Sequence, residues 1–197
     1  MMTDLPHAAT ENEAKYFLMV TPCPNCGKGP WLLDDTTEVA EAGDKLSIKA
    51  RCKSCGHEKT FEFVCDSSGR EEDAELISAS DAPSGLIDVA QWLSLFYRHL
   101  EKAADDNTPP RERRLLGYRA ALCLREALKF YGEDDELPDP SAFFTESSRE
   151  AFHQHPESFA RRKLLDMRSK LPKLNTMAKS VQADRKKSKK RWWSRRK

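Results

Sequence analysis

No stretch of this 197-residue chain approaches the roughly 20 apolar residues that a membrane-spanning helix needs. Residues Met1 to Ala14 lack a basic region followed by an apolar one, so no export signal is expected and the chain reads as cytoplasmic. The eight glycines nowhere form a phosphate-binding loop, and serine pairs such as Ser147-Ser148 have no base partner. His153 and His155 flank a helix junction near Glu150, but no third group at helical spacing completes a metal or acid/base site; they read as surface or capping histidines. These absences argue against an enzyme. Acid is missing altogether from the last thirteen residues, Arg185 to Lys197.

Cysteine is sparse but placed with a pattern. Four of the six occur as Cys23-Pro-Asn-Cys26-Gly27 and Cys52-Lys-Ser-Cys55-Gly56. A two-residue gap lets the chain turn back so that two sulfurs reach one ion, and two such corners complete a tetrahedron. The glycine after each pair permits a positive φ and a close approach of backbone N–H groups to sulfur. The 25 residues between the inner cysteines exceed the roughly 15 to 20 of the simplest double Cys-x-x-Cys sites, which predicts a longer hairpin arm. Disulfides are the competing reading, disfavoured in a reducing compartment. His57 lies near enough to replace a thiolate, but four sulfurs already close the shell, so it is expected at the surface.

The flanks alternate as half-buried strands should. Leu46, Ile48, Ala50 and Cys52 alternate with Lys45, Ser47, Lys49 and Arg51; Phe61, Phe63 and Cys65 alternate with Thr60, Glu62 and Val64. The apolar runs Tyr16 to Val20 and Trp31 to Leu33 predict strands on either side of the first cysteine pair. In this strand–knuckle–strand order, residues 15 to 65 resemble a rubredoxin-like zinc ribbon, about a quarter of the chain. The resemblance implies one structural Zn²⁺ on Cys23, Cys26, Cys52 and Cys55, with no catalytic residue, in a module common in nucleic-acid enzymes, ribosome-associated proteins and adaptors. Iron is the alternative metal, although Cys-Lys-Ser-Cys lacks the proline rubredoxins usually carry there. Cys65, on the phenylalanine face, and Cys123, in a helical stripe, read as small buried hydrophobes.

With 39% hydrophobic and 33% charged residues, the chain has room for a small core under a heavily solvated surface. The expected class is α+β: a flexible N-terminus (1–14), a small antiparallel zinc ribbon (15–66), a linker (67–84), a helical domain of about four helices (85–172) and a basic tail (173–197). Ser84 is a candidate N-cap for a helix to about Ala104, with Leu86, Val89, Ala90, Leu93, Phe96, Tyr97 and Leu100 on one face and Trp92, Leu95 and His99 widening the apolar arc. Such a helix needs cover on two sides. Pro109-Pro110 starts a second helix, with Gly132 placed to end it. Within it, Ala120 to Phe130 half-resembles a tetratricopeptide helix, but no period of roughly 34 residues supports this, and an ordinary helix hairpin is expected. Ser147 with Glu150 predicts the cap of a third helix, and Pro156 the start of a fourth, which Pro172 stops.

The net charge of +1 conceals a separation. From Ala160 onward, 16 Lys and Arg face only Asp166 and Asp184, a net +14, whereas the first 159 residues carry 17 basic and 30 acidic groups, a net −13. Nine of the cations lie in Arg185, Lys186, Lys187, Lys189, Lys190, Arg191, Arg195, Arg196 and Lys197, around Trp192 and Trp193. Self-repulsion predicts disorder for the free segment. Its cations and tryptophans suit nucleic acid, RNA or the ribosome, through phosphate neutralisation and base stacking; they also suit an anionic membrane surface, or a solubilising tail folded onto the acidic body. The expected function is a non-enzymatic binding protein docking on nucleic acid through this tail; the alternative is a protein-interaction adaptor, using the helical domain, held to anionic membrane.

Overall fold

A computed structural model describes residues 5–33, 38–42, 44–65, 77–78, 80–174, 176–181 and 183. The predicted tail segment Arg185–Lys197 lies outside the described residues.

The alternation in the sequence becomes a hairpin. Strands β4 (Lys45–Cys52) and β5 (Glu58–Cys65) pair antiparallel from Lys45↔Val64 to Arg51↔Glu58, so the second cysteine pair occupies the turn. Leu46, Ile48, Ala50, Cys52, Phe61 and Phe63 are all buried on one face. The other edge of β4 is shared by two strands in succession. The short β2 (Trp31–Leu32) pairs with Cys52 and Arg51, and β3 (Glu38–Ala42) with Lys45 to Lys49. A two-residue strand, β1 (His7–Ala8), adds in parallel to β5, giving a five-stranded sheet.

Two sequence expectations fail at the N-terminus. Residues 7 to 14 carry a strand and the first turn of a helix where a flexible lead-in was expected, and Tyr16–Val20 is helical where a strand was expected: both belong to β1 and α1 (Glu11–Val20). Thr10 caps α1 by accepting from the Glu13 backbone N–H, while the Glu13 carboxylate reaches back to the Ala9 N–H at 2.5 Å. This Thr-x-x-Glu pattern is a helix-start signal. A five-residue apolar run has no readable period, and α1 is apolar on more than one side because it lies between two cores. Ala14 and Leu18 enter the sheet core, Tyr16 enters the helical core, and Phe17 packs on both.

The helical core is built on α2 (Val89–Ala104) and α3 (Pro110–Leu128). Trp92 and Leu95 are fully buried and Phe96 nearly so, and α2 is covered by α1 and α3 as its wide apolar arc requires. Tyr97, expected on the buried face, is 45% exposed and donates its hydroxyl to Met167 Sδ. The arc is therefore centred on Trp92, Leu95 and His99, the residues that the sequence suggested only as its extension. After α3, a 3-10 turn at Pro140–Ala142 leads to α4 (Glu146–Gln154), another at Pro156–Phe159 leads to α5 (Arg161–Lys170), and residues 176–181 are helical. The fourth helix thus starts at Arg161, with Pro156 heading a 3-10 turn before it. Helix α4 is capped by Thr145, whose hydroxyl accepts from Ser148 N–H, and not by Ser147.

Asp88, not Ser84, caps α2; Ser84 accepts from the Leu86 and Ile87 N–H groups in a turn ahead of it. Asp88 Oδ1 accepts from Gln91 N–H at 2.8 Å and Gln91 Oε1 accepts from Asp88 N–H at 3.0 Å. Its other oxygen accepts from the backbone N–H groups of Phe144 (3.1 Å) and Thr145 (3.4 Å), tying the start of α4 to the start of α2. Asp88 is fully buried. Replacing it with alanine removes a cap worth about 1 kcal/mol and strands two further donors, so we expect Asp88→Ala to lose roughly 2–3 kcal/mol in urea denaturation. Asp88→Asn should recover little, because an amide offers one acceptor oxygen where two are used. A loss below about 0.5 kcal/mol for the alanine variant would contradict this role.

The segment expected as linker is partly built into the core. Ile77 is fully buried, its carbonyl accepts from Thr10 Oγ1 at 2.6 Å, and the Ser78 and Ser80 carbonyls accept from Arg125 (3.2 Å) and Lys129 (2.6 Å) of the α3 end. Residues 66–76 lie outside the described residues.

Candidate metal centre

Each cysteine pair is turned by its own backbone. Gly27 N–H donates to Cys23 O and Gly56 N–H to Cys52 O at 2.8 and 2.9 Å, and Cys23 N–H and Cys52 N–H donate to the Lys28 and His57 carbonyls. The two loops match position for position. Both glycines have positive φ, 66° and 73°, and no other described residue does. A Cβ at either position would meet nothing within 4 Å, so glycine is required by backbone conformation and not by space.

Strand pairing then brings the loops together. The first cysteine pair follows α1 and precedes β2; the Trp31↔Cys52 pairing and the Lys53 N–H to Pro30 O bond set it against the β4–β5 turn. The four Sγ atoms lie within 4.8 Å of one another, with Cys23–Cys55 at 3.7 Å and Cys26–Cys52 at 3.8 Å. A regular tetrahedron of sulfurs about 2.3 Å from a central ion has edges of about 3.8 Å. The cluster is therefore near the size a metal imposes. All four cysteines are free, and these separations are far beyond the roughly 2.05 Å of a disulfide.

The donors around the sulfurs suit an anionic thiolate cluster. The His57 backbone N–H and the Asn25 amide (3.6 Å to Cys55 Sγ) pull the Cys55 thiol down to about 6. At Cys26 the Lys28 backbone N–H pulls the same way, but burial and the sulfurs of Cys55, Cys52 and Cys23 together outweigh it and raise that thiol to about 11. A divalent cation bound among closely spaced thiolates supplies the charge that offsets their mutual repulsion. With four thiolates the shell is complete, leaving no position for a substrate or an activated water. These residues fit a structural metal ion.

All four cysteines predicted as ligands are thus brought together. His57 is exposed, beside the cluster, and contributes backbone groups to it; its ring lies 6.2 Å from that of Trp31. Cys65 is partly buried against the sheet core, and burial pushes the Cys123 thiol far up. His153 and His155 are exposed, His155 within 3.5 Å of Glu157. Asn25 was not singled out from the sequence; its place between Cys23 and Cys26, one turn from the sulfurs, was the available signal. No described helix is long and apolar enough to cross a membrane. No family model, curated protein or solved structure matches this chain.

Proposed function

We propose that this is a non-catalytic zinc-ribbon protein that docks on nucleic acid, RNA or the ribosome, through its basic C-terminal segment. Cys23, Cys26, Cys52 and Cys55 hold one Zn²⁺, which stabilises a sheet too small to bury much surface unaided. The observation that carries the metal half of this reading is the set of four sulfurs at tetrahedral spacing. Docking rests on charge: exposed Arg162, Lys163, Arg168, Lys170, Lys173 and Lys179 continue towards the run Arg185–Lys197, while the rest of the chain is acidic. The helical portion serves as scaffold or protein-partner surface.

Elemental analysis of the purified protein should give one zinc per chain; bound iron with a visible absorption band would identify a rubredoxin-type centre instead. Binding of full-length protein to single-stranded RNA should fall steeply with salt. If nine cations contact phosphates, log K against log salt has a slope of about −6. Deleting Arg185–Lys197 should remove most of that slope. Absence of salt-sensitive affinity for RNA or DNA would sink the docking reading. Preferential retention on vesicles of anionic phospholipid, lost in Trp192→Ala/Trp193→Ala, would replace it with membrane attachment.

A further inference from the structure

A cavity of about 390 Å³ opens between α1, β2, α2 and α3, away from the basic C-terminal segment in sequence. Five cationic side chains line it: Lys15 from α1, Lys53 from the second cysteine loop, Arg98 and Lys102 from α2, and Arg119 from α3. Among the described residues, no carboxylate lines it. Some of this charge is answered outside the cavity, since Lys15 pairs with Glu11 and Lys102 with Glu112 at 3.2 Å, while Arg98 donates to the Met19 carbonyl at 3.0 Å. Five like charges drawn from separate elements around one opening are mutually repulsive, and a bound anion relieves that repulsion.

Trp31 and His99 both line the cavity, and each has a fully buried ring nitrogen, Trp31 Nε1 and His99 Nε2, without a hydrogen-bond partner. Trp31 is 2% exposed and His99 6%. Both nitrogens, like Trp92 Nε1, are closed off from open space, so a ligand atom reaches them only with a shift of the cavity wall. Burial, then Arg119, Arg98 and Lys102, hold the His99 imidazole down to about 4, so the ring is neutral at physiological pH and can present an N–H without adding charge. Apart from Asn12, the remaining lining is apolar and aromatic, chiefly Tyr16, Met19, Leu33 and Leu116, which suits a flat organic body and not a bare ion.

We propose that this cavity binds a small phosphate-bearing ligand of mononucleotide size, its phosphate among the five cations and its ring against the apolar wall. The five cations favour a phosphate dianion over a single carboxylate. This site is independent of the docking reading above and of the Arg185–Lys197 segment.

The test is calorimetric titration of the full-length, metal-loaded protein with AMP, inorganic phosphate and adenosine. AMP should bind, with inorganic phosphate and adenosine each at least tenfold weaker. Lys53→Gln/Lys102→Gln, both at exposed positions, should weaken AMP at least tenfold with an unchanged melting temperature. Deletion of Arg185–Lys197 should leave AMP affinity unchanged. In two-dimensional NMR, AMP should shift the Trp31 indole N–H resonance, identified by its loss in Trp31→Phe. The proposal is overturned if AMP produces no heat and no shift at millimolar concentration, if adenosine binds as well as AMP, or if AMP binding disappears with the C-terminal segment and survives the lysine changes.

Discussion

Removing the metal, by chelation or by Cys52→Ser, should melt the sheet while leaving much of the helix α2–α3 pair folded. The two cysteine loops are held side by side by a two-residue strand pairing and a few bonds at the surface, from Lys53 N–H to Pro30 O, from Ser54 Oγ to Gly29 O and from the Asn25 amide to Cys55 Sγ. Structural zinc sites supply an apparent 10–16 kcal/mol, more than the whole stability of many small domains. The sheet core is the smaller of the two hydrophobic clusters and includes Cys23 and Cys52, two of the four proposed ligands. None of the four clustered cysteines belongs to the larger one. The expected outcome is loss of dispersed sheet resonances and of the environment of Trp31, with helical circular dichroism reduced partially as α1, which packs on both cores, loosens. Metal uptake displaces thiol protons, so affinity should fall as pH is lowered. An unchanged sheet after complete metal removal would show that the sulfurs stand together without needing an ion.

The second large effect is expected at Glu126, a carboxylate only 1% exposed near the end of α3. It accepts from Arg125 Nη2 at 2.9 Å and from Lys129 Nζ at 2.6 Å, and these same cations bind the Ser78 and Ser80 carbonyls. The neighbouring Ile77 carbonyl receives the Thr10 hydroxyl, so one buried anion organises the contact between α3, the residues Ile77, Ser78 and Ser80, and the start of α1. Glu126→Ala leaves Lys129, whose side chain is 10% exposed, without its counter-charge. Breaking one partner of such a pair costs about 3–5 kcal/mol. Urea denaturation should show this loss, accompanied by faster amide exchange at Ile77 and in the first turn of α1. Replacing the pair together, Glu126→Leu with Lys129→Met, should recover much of it, since a buried ion pair is often no better than apolar groups of equal volume. A loss below about 1 kcal/mol for Glu126→Ala would mean that water reaches Lys129 readily.

The sequence could reveal neither the placement of Ile77, Ser78 and Ser80 nor the site of their anchors. Ser78 and Ser80 contribute backbone carbonyls, which are common to every residue, and Glu126 in a list of helix positions resembles a solvated charge. Caps were legible in kind but not in place. Ser84 and Asp88 are both good N-cap residues; Asp88 wins because its second oxygen also serves Phe144 and Thr145, a contact made from across the chain. Thr145 and Ser147 differ by two positions, and boundary placement at that level depends on which hydroxyl meets Ser148 N–H.

What the sequence determined by itself is local: the two cysteine loops with their glycines, the alternation of β4 and β5, the proline-led start of α3 and the separation of charge along the chain. Each follows from covalent spacing, backbone conformation or strict periodicity, which need no distant partner. The tertiary structure decided how those pieces meet. It made Tyr16–Val20 a helix, because only a helix presents one face to the sheet core and another to the helical core. It drew four sulfurs to metal-binding distance through a two-residue strand pairing, and it gathered Lys15, Lys53, Arg98, Lys102 and Arg119 from remote positions around one cavity. Such convergence is set by packing between elements, and no spacing within the sequence encodes it.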